Sequence, residues 1–261
     1  MIYDPPSEKI VEEVAGLVLS ACRKAFGDSL VCITLKGSAV KGDFIPYYSD
    51  FDFHIFLKPK VMDNARIPKA EYALEFQRAF GGVNPQDFRA SQFQIYFINS
   101  EAYPEDWLPP IEGTYVIFYG SVPLSAGEAE EQKYLQLASN HLATVEESRK
   151  TIVGRFVDKP NSAIPNLIRL LGSTLKGYIY SVSALTLPNP KQGFKLGLDE
   201  IIEIVEKEVK SGGHISGFFQ LVSDWGRIQT DSDSARQALK EGIEAMREIN
   251  HWYKNRKREQ V

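Results

Sequence analysis

Residues 35–57 read LKGSAVKGDFIPYYSDFDFHIFL. The fold turns on why two aspartates, Asp50 and Asp52, stand one residue apart at the head of an apolar run. Aspartate is disfavoured in strands and costly to bury, so a pair flanked by Phe51, Phe53, Ile55 and Phe56 needs a compensating partner. A cation is the obvious one. Residues two apart on a strand face the same side, so Asp50 and Asp52 point together while Phe51 and Phe53 point into a core. Two carboxylates that repel each other and present hard oxygen ligands suit Mg²⁺ or Mn²⁺. Mg²⁺ takes few carboxylates and completes its shell with water and substrate phosphates.

Working outward, Leu30 to Leu35 is a short apolar run rich in β-branched residues, read as a buried strand that ends at Gly37-Ser38. A Gly-Ser turn there lets the backbone approach a ligand closely and offers a hydroxyl and amide donors to phosphate oxygens. A strand with a Gly-Ser turn, a loop holding Gly42 and Pro46, and then Ser49, Asp50 and Asp52 leading a strand over Phe51–Leu57 put a phosphate cradle and a metal clamp on one face. That is the equipment of nucleotidyl transfer, in which the metal neutralises a triphosphate and aligns an incoming hydroxyl with the α-phosphorus. The plainer alternative is an ordinary turn and two solvated edge aspartates.

The flanking chain supplies the frame. From Ser7 to Phe26 apolar residues recur at helical spacing, with Ser7 to cap and Gly27 to stop. A helix is expected over Lys69–Phe80, halted by Gly81-Gly82, and strands over Phe88–Ile98 and Thr114–Tyr119, separated by the Pro-rich segment 103–110. After Gly120 strand patterns cease, and Ala126–Val157, Ala163–Leu185, Leu198–Lys210, Ile215–Trp225 and Ser232–Lys257 all carry helical periodicity. The expected architecture is α+β: an N-terminal α/β domain with a mixed sheet over residues 1–123 and an all-helical bundle over 124–261. Phe218, Phe219, Leu221, Val222 and Trp225 are expected in the bundle core, with Ala245, Ile249 and Trp252 of the last helix.

Composition narrows the function classes. The 261 residues carry a net charge of −4, which gives no footprint for sequence-independent nucleic-acid binding. The basic run Lys254–Arg258 reads as a helix end, where cations suit the dipole. Cys22 and Cys32 sit among apolar neighbours and read as buried thiols of a reducing compartment. No basic stretch followed by an apolar core opens the chain, and no apolar run approaches about 18 residues, so a cytosolic protein without a membrane span is expected.

The segment Gly37-Ser38-A-V-K-G-D-F-I-P-Y-Y-Ser49-Asp50-F-Asp52 resembles the hG[GS]…[ST]DxD signature of the polymerase-beta-type nucleotidyltransferase superfamily. Arg169-L-L-G-S-T-L-K-G-Y-I-Y-Ser181 followed by Leu187-P-N-P-Lys191-Q-G-F-Lys195-L-G-Leu198 is similar to the helical domain of streptomycin/spectinomycin-type aminoglycoside adenylyltransferases, and Tyr119-Gly120-S-V-P-Leu124 to their exit from the sheet. The resemblance implies ATP or another NTP as donor and a small hydroxylated molecule as acceptor. It implies a metal on Asp50 and Asp52, nucleotide contacts from Gly37, Ser38, Ser49 and Lys191, and Lys195 as the lesser alternative to Lys191.

The chain departs from that pattern twice. Where the family carries a third carboxylate as general base, the aligned position holds Gln94, which cannot accept a proton as a carboxylate does. Either the base comes from elsewhere, with His54, Asp87 and Glu112 as candidates, or the protein binds nucleotide without efficient transfer. His54, two residues beyond Asp52, faces the same side. The acids expected for a polycationic acceptor are also thin, with Asp158 alone at the head of the long helix. Glu105, Asp106, Trp107 and Glu112 are further possible cleft residues, although a Trp in a Pro-rich loop more often packs against a sheet.

Overall fold

The two apolar runs on either side of Gly37-Ser38 form neighbouring strands of one sheet in the computed structural model, which describes residues 1, 3–123 and 131–259. The chain divides into two units, Tyr3–Ala129 and Glu130–Val261 together with Met1–Ile2. The expected boundary at Val122-Pro123 lies six residues before that division, next to the segment 124–130, which is outside the described residues.

In the first unit, helix α1 (Glu8–Phe26) starts where the Ser7 side chain accepts from the Ile10 amide and stops at Gly27, whose φ of 51° suits only glycine well. Strand β1 (Leu30–Lys36) leads into a single helical turn, α2 (Ser38–Lys41), in the stretch expected to be loop; Gly42 at φ 82° ends it. Strand β2 (Phe51–Leu57), helix α3 (Ala70–Phe80), β3 (Phe93–Asn99) and β4 (Tyr115–Gly120) complete the unit. The sheet order is β3-β2-β1-β4, with β1 antiparallel to both neighbours and β2 parallel to β3. Only the parallel pair needs a crossover, and the connection carrying α3 supplies it.

One sheet face presents Ile33, Leu35, Phe51, Phe53, Ile55 and Leu57 to a core completed by Val14, Val18 and Cys22 of α1 and Phe76 and Phe80 of α3. Each such side chain contributes about 1.5–3 kcal/mol on burial. The opposite face carries a smaller cluster of Cys32, Phe56, Ile98 and Trp107. That cluster sits toward one end of the strands and leaves the row around Asp52 outside it.

The expected strand over Phe88–Ile98 begins five residues late. Asn84 accepts from the Gln86 amide, Pro85–Phe88 closes as a 3₁₀ turn, and Arg89 takes a left-handed φ of 55°, so pairing starts at Phe93.

The second unit contains α4 (Glu131–Leu142), α5 (Val145–Phe156), α6 (Ile164–Thr186), α7 (Leu198–Val209), α8 (His214–Ser223), α9 (Trp225–Thr230) and α10 (Ser232–Glu259). Two expected helices are each broken in two. Within the expected helix Ala126–Val157, residues 126–130 are outside the described ones, and the rest breaks at Thr144, whose hydroxyl donates to the His141 carbonyl (2.7 Å) and competes with helix continuation. Ile215–Trp225 breaks at Asp224, whose carboxylate accepts from the Arg227 amide (3.3 Å) to start α9.

Helix α10 packs on α5, α6 and α8, burying Ala245, Met246 and Ile249. Tyr253 takes the buried place expected of Trp252, whose indole donates instead to Glu208 (3.1 Å). The basic run 254–258 lies in the last turns of α10, and Arg256 donates to the Leu185 carbonyl near the end of α6 (2.7 Å). Among the described residues no helix is long and apolar enough to cross a membrane.

Candidate active site

The site follows from register. In the β1–β2 pair Lys36 lies opposite Asp52, and in the β2–β3 pair Asp52 lies opposite Gln94. One step along, Thr34, His54 and Tyr96 form the next row on the same face, because alternate strand residues share a side. Asp50, just ahead of β2, joins this face through its Oδ2, which accepts from Gln94 Nε2 (2.7 Å) and Gln92 Nε2 (3.0 Å). The two aspartates therefore do point together, as alternation required.

Gln94 is held at both ends. Its amide nitrogen donates to Asp50, and its Oε1 accepts from the Tyr96 hydroxyl (2.6 Å). A carboxylate can only accept, which fixes the amide with its NH₂ toward Asp50.

The Gly-Ser turn runs directly against the second aspartate. Gly37 has φ 79°, which favours glycine, and a Cβ there would lie 2.3 Å from Asp52 Oδ2 and push that carboxylate aside. Ser38 follows, 7 % exposed, at the start of α2. Ser49 is tied into the loop: its hydroxyl oxygen accepts from the Ile45 amide (2.9 Å) while its own amide donates to the Ile45 carbonyl (2.8 Å). This reciprocal clamp sets the approach to Asp50. Next to it Tyr47 adopts φ 63°, costly for a non-glycine residue, and its amide donates to the Arg89 carbonyl (2.6 Å).

The electrostatics centre on Lys36. Its ammonium stands 5.8 Å from the centre of the Tyr96 ring, and Tyr96 belongs to β3, so the side chain arches over β2 between them. Burial pushes the Lys36 pKa down and the neighbouring Asp52 charge pulls it back up. Tyr96 is pushed up, first by burial and then by Asp52 and Asp50.

His54 is 4 % exposed and enclosed by Tyr96, Phe56 and Trp107, with ring centres 5.5, 6.5 and 6.4 Å away. Burial, and after it the Lys36 charge, hold its pKa well below the usual imidazole range. Its Nδ1 and the Thr34 hydroxyl are buried without hydrogen-bond partners. His54 is thus a buried ring on this face, packed among aromatic neighbours.

The remaining sequence candidates of the first unit make other contacts. Asp87 is exposed in its 3₁₀ turn and accepts from Asn84 (3.3 Å), and Glu112 is exposed between β3 and β4. Trp107 stacks on Tyr103 (5.0 Å, 11°) and meets Phe56 edge-on, so it packs against the sheet, while Asp106 pairs with Arg66. In the second unit the Lys191 ammonium stands over the Tyr134 ring (5.4 Å), Lys195 is exposed, and Asp158 pairs with Lys159 (3.1 Å).

Lys36, Gln92 and Tyr96 are the site residues that sequence reasoning missed. Ending the first strand at Leu35 hid Lys36; one more residue of alternation after Cys32 and Thr34 puts it on the aspartate face. Gln92, two before Gln94, was legible by the same rule.

As a metal site, Asp50 and Asp52 offer hard oxygen donors on one face, the donor chemistry that suits a Mg²⁺-type ion. Among the described residues no third Asp, Glu, His or Cys joins them. Comparison of the chain with protein-family models finds no match, and comparison with curated proteins finds none either.

Proposed function

We propose that the protein is a Mg²⁺-dependent nucleotidyltransferase that moves AMP, or another NMP, from an NTP to a hydroxyl of a small molecule. The observation that carries this reading is the packing of the Gly37 turn against Asp52 on the face that also holds Asp50. A backbone turn suited to phosphate oxygens and a carboxylate pair suited to a divalent cation are then immediate neighbours. Asp50 and Asp52 would hold the metal, which supplies charge neutralisation of the triphosphate when bound. Gly37 would let phosphate oxygens approach the backbone, Ser38 would offer its hydroxyl, and Ser49 would hold the loop that presents Asp50. Lys191 as a phosphate ligand belongs to the same proposal.

A second reading has a specific observation behind it. Gln94 spends its amide on Asp50 and its carbonyl on the Tyr96 hydroxyl, and cannot take a proton from an acceptor hydroxyl. With His54 walled in, the cluster favours nucleotide binding over proton abstraction, as in a regulatory protein that retains the metal pair.

Pyrophosphate release from each NTP with Mg²⁺ or Mn²⁺, across a panel of aminoglycosides and other hydroxylated compounds, separates the two. The blank is the protein carrying Asp50→Asn and Asp52→Asn. Acceptor-dependent release absent from the blank is the outcome expected of a transferase. Metal-dependent nucleotide binding without release supports the second reading, and nucleotide binding that survives in the blank removes the site assignment altogether.

A further inference from the structure

Asp52 already has a cation as its neighbour across the strand pair. Lys36 is the register partner of Asp52, and its side chain crosses β2 to bring the ammonium over the Tyr96 ring, above the strand that carries Asp52 and His54. Asp52 and His54 both feel that charge, in opposite senses. From the β3 side, Asp50 is met by two amide nitrogens, of Gln92 and Gln94. The electrostatic problem posed by two like charges at a strand end is thus met with side chains of the protein itself. Any divalent ion on these carboxylates must share the space above β2 with a lysine ammonium.

We propose that Lys36 is the resident counter-ion of the Asp50–Asp52 pair, so that the protein alone holds a divalent cation weakly and takes it up together with a polyphosphate anion. The inference rests on the metal-dependent reading above and deepens it. A divalent ion approaching Asp52 is opposed by the ammonium, whereas a metal–triphosphate complex brings negative charge for the same ammonium to face. Direct metal–phosphate contact couples metal and nucleotide equally in both directions, and the ammonium sets how weak metal binding is without the nucleotide.

Direct Mn²⁺ titration, by calorimetry or by the loss of the free-ion electron paramagnetic resonance signal, tests this without reference to turnover. In the absence of nucleotide, Lys36→Met is expected to bind Mn²⁺ at least tenfold more tightly than wild type, and Lys36→Arg, which keeps the charge, to stay weak. Adding a non-hydrolysable ATP analogue should tighten Mn²⁺ binding in both wild type and Lys36→Met, with Lys36→Met remaining the tighter of the two. Circular dichroism spectra that match wild type establish that each variant is folded, and Lys36→Gln serves as a second neutral variant.

Mn²⁺ affinity in the neutral variants no higher than in wild type, while wild-type binding is lost with Asp50→Asn and Asp52→Asn, overturns the counter-ion role and leaves the metal site standing. No aspartate-dependent Mn²⁺ binding in any form, with or without the analogue, overturns both.

Discussion

His54 shows how far a residue's neighbours decide its chemistry. The same imidazole that alternation places on the aspartate face is closed in by Tyr96, Phe56 and Trp107, which turns a candidate base into a buried neutral ring. Its pKa is lower in the folded chain than in the unfolded one, so between the two values the unfolded chain holds more protons. Stability from this group is therefore full above about pH 6.5 and is lost as pH falls, at no more than about 1.4 kcal/mol per pH unit. His141, also lowered by burial, adds in the same direction. We expect the urea midpoint of wild type to drop between pH 7.5 and 5.5, and that of His54→Phe to drop less. Equal drops would show that His54 does not contribute to the acid sensitivity. At this scale Asp50, Asp52 and Gly37 were legible, because a charged pair in an apolar strand and a glycine before a turn each need a reason. Lys36 was not, since the strand was ended one residue early.

At the scale of elements, glycine again marks close approach, here between helices. A Cβ on Gly242 of α10 would lie 2.5 Å from Leu171 Cδ2 of α6 and 2.9 Å from Phe218 Cδ2 of α8, so three helices meet at a point with room for a hydrogen only. Gly242→Val is expected to lower unfolding stability by about 1–3 kcal/mol through overpacking, and Leu171→Ala in the same chain to recover part of the loss. Chemical denaturation of the two single variants and the double one measures the coupling, and additive losses would contradict it. Helix existence was readable from periodicity throughout, but helix ends were not. The breaks at Thr144 and Asp224 depend on side chains bonding to nearby backbone, and the late start of β3 depends on Asn84 and Arg89. Such competitions between local hydrogen bonds are weakly encoded in hydrophobic pattern.

For the whole molecule, the net charge of −4 and the engagement of the basic run within α10, where Arg256 donates to Leu185 and Lys257 stands over the Tyr253 ring (4.9 Å), argue against a phosphate-backbone footprint. We expect no retardation of duplex DNA by the protein in a gel-shift assay at physiological ionic strength. A shift that weakens linearly with log salt would reverse that view. The sequence by itself determined an α+β order of elements and a helical second half, since these follow from short apolar runs and from 3.6-residue periodicity that local windows display. It also determined that two carboxylates share a face, which needs only the pleat of one strand. Only the tertiary structure decided what meets those carboxylates. Gln92 and Gln94 bond to Asp50, and Lys36 and Tyr96 stand in the neighbouring rows, on strands whose register is set by long-range pairing and core packing; no local pattern encodes which residues of separate strands come to lie opposite one another.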